Sequence, residues 1–459
     1  MWKYGAVVFL VAISFKLLLD HEFPRKPPKF EKDDYFGEGA VHADDETIHD
    51  FSISIDPSQL EDLKERVRMG RQRLQAPLEG SNFEFGFNTA YLKNLTETWL
   101  KYDWKQHEYF LNTFQHYRTE LEGLLLHFTR TSFSPKKNEK KLPIILIHGY
   151  PSSFWDFYKV IPILANPGRF GFDFGGKGQI VFDVVVPSIP GFAWSEGPSK
   201  QGFGFIECAR VYSKLMERLG HKKYFVFGMG DLGVEIATAL AHISPDSVWG
   251  LQVANPYISP LQDAQVFAES VLTFLAPNLY LDEREQEVIL PLDRQISSFL
   301  DHFGFFMIQK TRPDSLSVAV NDSPLGLASW LLDRFALGIH RNYTSHPQGW
   351  LQNSLTVDEL LTEVHIYWLT GTLPHAARFF RNSYEHPLYR ETMRASLNIS
   401  TAVLVLPSTS YTSPRHTLSR RYTNLVRYTI GGKGGDFPAL QESRFVAQEI
   451  FSFVEELTS

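Results

Sequence analysis

The sequence predicts an α/β protein built on a mostly parallel sheet with helices on both faces. Three observations carry that expectation. Short apolar runs recur at residues 142–147, 181–186, 224–228, 251–254, 402–406 and 425–430, and runs without polar alternation are what strands buried on both faces require. Stretches with helical spacing separate the early runs, as parallel crossovers demand. About 145 residues between Asn255 and Ser400 carry no strand signal, so they read as a helical insertion between two strands.

In chain order, residues 4–19 (YGAVVFLVAISFKLLL) come first and are almost wholly apolar, with Lys16 the only charge. At 1.5 Å per residue the run falls a little short of the ~30 Å hydrocarbon core, a gap that Lys16 can close by snorkelling. Asp20, His21 and Glu22 follow where a small-residue cleavage site would stand, which favours a retained anchor over a removed signal. Lys16, Arg25, Lys26, Lys29 and Lys32 outnumber Lys3 on the other flank, so the positive-inside rule puts the bulk of the chain in the cytosol. Residues 24–45, rich in Pro, Lys, Asp and Gly, read as an extended linker. Helices are expected from Asp56, an aspartate cap before apolar residues at helical spacing, and again over 90–102 and 106–114.

Composition narrows the function. The 459 residues carry 45 basic and 52 acidic side chains, a net charge of −7 that offers no basic face to nucleic acid. One cysteine, Cys208, excludes a disulfide framework and a cysteine zinc site. Gly431-Gly432-Lys433-Gly434-Gly435 lacks the spacing of a phosphate loop, and no metal or cofactor motif is present. The 37 phenylalanines point to cavities walled by flat apolar groups.

Two short motifs stand at strand ends. His148-Gly149-Tyr150-Pro151 follows the first apolar run and forms a tight turn able to aim backbone N–H groups into a cleft. Gly228-Met229-Gly230-Asp231-Leu232-Gly233 joins the third run to an apolar helix and has the form of a nucleophile elbow, with small residues two before and two after the reactive side chain. Together they specify the α/β-hydrolase fold with an inserted helical lid. An Asp nucleophile gives an ester that water must then hydrolyse with a general base, which suits epoxide opening or halide displacement.

The chain resembles the microsomal epoxide hydrolase family, including the insect juvenile hormone epoxide hydrolases. The likeness runs through residues 82–88 (NFEFGFN), 102–104 (YDW), 121–124 (LEGL), 148–158, 187–192 (PSIPGF), 321–327 (NDSPLGL) and 367–372 (YWLTGT). It implies a membrane anchor at 1–22, a linker and helical extension at 23–125, a hydrolase core at 126–255 and 401–459, and a lid at 256–400. It also implies residence at the endoplasmic reticulum membrane and a lipophilic epoxide or terpenoid partner, of juvenile-hormone or xenobiotic type.

Carried over residue by residue, the resemblance makes Asp231 the nucleophile and puts Tyr150 and Leu232 at the oxyanion hole. His148, Gly149, Pro151 and Phe192 would belong to the pocket. The remaining machinery is replaced. Asp436, in Gly-Gly-Asp-Phe, stands at the family's histidine base, His416 at its orienting acid, and Phe305 and Phe380 at its two lid tyrosines. Acid and base assistance contribute ~10²–10⁴-fold each, so the chain is expected to be a non-catalytic or severely impaired homologue that still binds lipophilic epoxides. Two other readings remain at this point. One is an active hydrolase with an exchanged His416/Asp436 dyad, and the other is a membrane-tethered scaffold.

Overall fold

One sheet of nine strands organises the described residues. Its strands are β1 (His49–Phe51), β2 (His116–Leu121), β3 (Leu124–Thr131), β4 (Glu139–Ile147), β5 (Gln179–Pro187), β6 (Tyr224–Met229), β7 (Val248–Ala254), β8 (Thr401–Val405) and β9 (Leu425–Ile430). Their spatial order is β1-β2-β3-β5-β4-β6-β7-β8-β9. The computed structural model describes residues 25–172, 179–260 and 263–458, so the expected anchor at 1–22 lies outside the described residues. Among the described residues, no helix is long and apolar enough to cross a membrane.

From β5 to β9 every pair is parallel, in keeping with the mainly apolar runs. Along β4, Ile144 and Leu146 enter one core cluster while Ile145 and Ile147 enter the other, the two-residue alternation of a strand covered on both faces. The early antiparallel part was not expected from the sequence. There, β1 pairs with β2, β2 with β3 and β3 with β5. Charged and histidine residues (His116, Arg118, Glu120, His127, Arg130) hide its alternation. Its turn is made by Glu122 at φ +54° and Gly123 at φ +75°, the two left-handed residues of a tight hairpin.

The helices used below are α1 (Pro57–Arg73), α2 (Thr89–Trp99), α3 (Trp104–Leu111), α4 (Phe205–Arg218), α5 (Gly230–Ile243), α6 (Leu292–Thr311), α7 (Pro324–Ile339), α8 (Val357–Thr370), α9 (Leu373–Glu385), α10 (Arg415–Arg421) and α11 (Ser443–Thr458). Asp56, Asn88 and Asp103 cap the first three with side-chain oxygens, which fixes where each begins. Helices α4 and α5 belong to one core cluster and α11 to the other, so the sheet is covered on both sides. Between β7 and β8 the described chain is helical, as the missing strand signals require, and α6, α7 and α9 of this insertion stand over the C-terminal ends of the strands. Ligand sites of open parallel sheets form at that edge.

Candidate active site

The elbow and the turn meet because neither has room for a side chain between them. A Cβ on Gly149 would lie 2.9 Å from Gly230 Cα, and one on Gly233 would lie 2.6 Å from the Ile147 carbonyl oxygen. Gly230 takes the left-handed conformation (φ +68°) that carries the chain from β6 into α5. Asp231 is thereby lifted at the first turn of α5, where the helix dipole favours its carboxylate. The Tyr150 N–H donates to Asp231 Oδ1 at 3.2 Å and the Leu232 N–H donates to the same oxygen at 2.8 Å. Two backbone donors therefore converge on one carboxylate oxygen of this cavity-lining residue and leave Oδ2 outside that pair of bonds.

That cavity encloses about 330 Å³ between the sheet edge and the insertion. Asp231, Glu235, Asp436 and Arg334 supply its charge, and Phe305, Phe306 and Phe380 much of its apolar wall. Arg334, on α7, is buried with its Nη1 3.4 Å from Asp436 Oδ2. Burial raises the Asp231 carboxyl from its ordinary value. The Arg334 charge and the two backbone donors oppose that rise, and Asp436 adds to it. One turn along α5, Glu235 is likewise raised by burial, against the opposing charge of Arg421, whose Nη1 is 3.8 Å from Glu235 Oε2.

Asp436 does not reach into the cavity as an unattached base. Thr409 Oγ1 donates to its Oδ1 at 2.7 Å, the Ser410 N–H donates to Oδ1 at 3.1 Å, and Ser410 Oγ donates to Oδ2 at 2.6 Å. The side chains that face Asp436 from the loop after β8 are thus Thr409 and Ser410, and His416 is elsewhere. Ser413 N–H donates to the Pro256 carbonyl, and Arg415 N–H donates to Glu285, which starts α10 and carries the next residue away. His416 packs its ring on Tyr280 at 5.6 Å, with Nε2 3.4 Å from Thr273 Oγ1, and is not among the residues that line the cavity. The structure does not bring His416 and Asp436 together as a dyad.

Of the other residues singled out in the sequence, Gly149 and Tyr150 line the cavity, as do Phe305 and Phe380. The Phe305 ring packs on Trp330 at 4.5 Å, and Phe380 lies edge-on to Tyr150 at 5.2 Å. Leu232 contributes its backbone and buries its side chain. His148, Pro151 and Phe192 are not among the lining residues. His148 is fully buried, with Nδ1 2.9 Å from the Gly149 carbonyl and Nε2 accepting the Ile189 N–H, and Phe192 packs behind it at 5.6 Å. A histidine committed to two backbone groups shapes the turn from behind and does not wall the pocket.

Known proteins match along the chain. Residues 48–157 fit the model for the epoxide hydrolase N terminus, and residues 143–291 fit the model for the alpha/beta hydrolase fold. A juvenile hormone epoxide hydrolase of Ctenocephalides felis is 34% identical over 95% of this chain and 91% of its own. Epoxide hydrolase 1 of Sus scrofa is 32% identical over 92% of both chains. The chain belongs to the epoxide hydrolase family. The crystal structure of juvenile hormone epoxide hydrolase from the silkworm Bombyx mori superposes with a TM-score of 0.86 at 26% identity, covering 94% of this chain and 99% of that one.

Within this family member the structure adds cavity residues that the sequence did not single out. Tyr384, Tyr411, Tyr257, Arg334 and Glu235 all line the space above Asp231. A signal existed for two of them. Tyr384 follows Phe380 by four residues on α9, and Glu235 follows Asp231 by four on α5, so each shares a helix face with its partner. Nothing local marks Tyr411, which is placed by the path of the loop after β8.

Proposed function

We propose that this epoxide hydrolase homologue binds lipophilic epoxides, of juvenile-hormone or xenobiotic type, in the cavity above Asp231 and hydrolyses them slowly or not at all. The observation that carries the reading is the state of the base position. Asp436 stands there, engaged by Thr409, Ser410 and Arg334, and no histidine is among the described residues lining the cavity. An ester formed at Asp231 would lack the imidazole that activates water, a loss of ~10²–10⁴-fold in its hydrolysis. Phe305 and Phe380 keep ring shape without hydroxyls, which supports a pocket retained for binding. The helical insertion would act as the lid of this pocket, and the apolar run at 4–19 would tether the protein to the endoplasmic reticulum membrane, as the resemblance implies.

The test is a multiple-turnover assay with excess styrene oxide, a small lipophilic epoxide, alongside binding of its diol by calorimetry. Binding together with no more than about one diol per protein is expected, because base loss blocks the second step. Sustained diol release over many turnovers would overturn the reading, as would the absence of any binding.

A further inference from the structure

We propose that Tyr384 and Tyr411 are the acids of a retained first half-reaction, so that the protein opens an epoxide once and holds it as an ester of Asp231. This rests on the reading above, that lipophilic epoxides enter this cavity.

The two hydroxyls come from different elements, one on α9 and one on the loop after β8. Phe380 and Tyr384 are four residues apart on α9, both line the cavity, and their rings lie 18° from parallel at 6.4 Å. Phe306 holds Tyr384 in place, edge-on at 4.6 Å. Phe380 therefore has no hydroxyl to offer, but the residue one helical turn further along the same face has one. Tyr411 reaches the cavity from the loop after β8 and packs on Tyr257 at 4.8 Å. Burial, followed by neighbouring negative groups, raises both phenols, and Asp231 is among those groups for each. Both therefore stay protonated and able to donate a hydrogen bond in the cavity that holds Asp231.

The chemistry balances without any further reagent. Asp231 Oδ1 is held by the Tyr150 and Leu232 N–H groups, so Oδ2 is the attacking atom. Its lone pair forms a new C–O bond to an epoxide carbon, the ring C–O bond breaks, and the pair stays on the ring oxygen. That oxygen takes a proton from a tyrosine hydroxyl, and the phenolate recovers a proton from water. The product is a β-hydroxyalkyl ester whose carbonyl oxygen already sits on two backbone donors. Its hydrolysis lacks an imidazole base, since no histidine is among the described residues lining the cavity.

The experiment is intact-protein mass spectrometry of the full chain with styrene oxide, with time courses of adduct formation and peptide mapping of the modified residue. The wild type is expected to gain one adduct, on Asp231, and Asp231→Asn none. Tyr384→Phe and Tyr411→Phe are each expected to slow alkylation by about tenfold or more, and the double variant by more than either, with each variant still binding phenylethanediol. Unchanged alkylation in the double variant would overturn the assignment. A protein that binds the diol but forms neither adduct nor product overturns this inference and leaves the proposed function standing. A protein that binds nothing overturns both.

Discussion

Asp436 defines what this site has become at the scale of single residues. It sits where the family resemblance puts an imidazole, yet it is satisfied by two hydroxyls, a backbone N–H and the Arg334 guanidinium. Arg334 is buried and feels the charge of both Asp436 and Asp231, so its guanidinium is compensated within the cavity. The Asp436→His variant follows from this. Thr409 and Ser410 could orient the new imidazole, and the nearby arginine would hold it neutral and basic. The ester on Asp231 is expected to decay about a hundredfold faster than in the wild type, the lower end of general-base assistance because no carboxylate orients the ring. Single-turnover diol release after adduct formation measures it, and an unchanged decay rate would show that the base position alone does not limit the second step.

At the scale of elements, the elbow and the oxyanion turn are one packed object. Gly149, Gly230 and Gly233 let the start of α5 rest on the end of β4, backbone against backbone. In a Gly233→Ala variant the new methyl would lie 2.6 and 2.7 Å from the carbonyl oxygens of Ile147 and His148, neither of which can swing aside. A loss of about 3 kcal/mol is expected, at the upper end for overpacking. Gly304→Ala on α6 is the contrast, because no atom lies within 4 Å of its Cβ and a helix interior favours alanine by roughly 0.5–1 kcal/mol. Urea unfolding midpoints should move in opposite directions for the two variants.

The same elements show what was legible in the sequence. The parallel strands were, because burial writes itself as a mainly apolar run, continuous in β4 and interrupted by single polar residues such as Asp183 in β5 and Gln252 in β7. Asp231 and Asp436 were, because their glycine flanks are local requirements of the turns that hold them. The β2–β3 hairpin was not, since its buried positions include His116, Thr119 and His127, polar residues that only tertiary hydrogen bonds make tolerable. His416 was misplaced for a related reason. The path from β8 to α10 is set by contacts with Pro256 and Glu285, which are remote in sequence.

Across the whole molecule, two sets of buried ionisable groups set opposite pH responses. Burial pushes His116 and His148 down to about 4 and lowers the fully buried His127 well below its ordinary value. A histidine depressed from 6.5 stays neutral in the fold while the unfolded chain takes up a proton, so stability falls as pH drops from 6.5 towards 4. Asp156 works the other way. It lines the cavity, and burial raises it to about 7, against an opposing hydrogen bond from Ser152. A carboxyl raised in the fold adds stability that is fully present below its unfolded value of 3.8 and is lost as pH climbs through about 7. Glu363, raised by burial and by Asp156 itself, shares that sign. Removing one group from each set should therefore separate the slopes. Asp156→Asn keeps the shape and discards the buried charge, so it is expected to raise the unfolding midpoint above about pH 7 and to leave it unchanged near pH 4, where the native carboxyl is already neutral. His127→Gln should do the reverse, relieving the loss near pH 5 while costing its hydrogen bonds to His116 and Ser188 at neutral pH. Calorimetric midpoints across that range read both effects, and an Asp156→Asn shift of equal size at pH 4 and pH 8 would show that this carboxyl carries no proton in the fold.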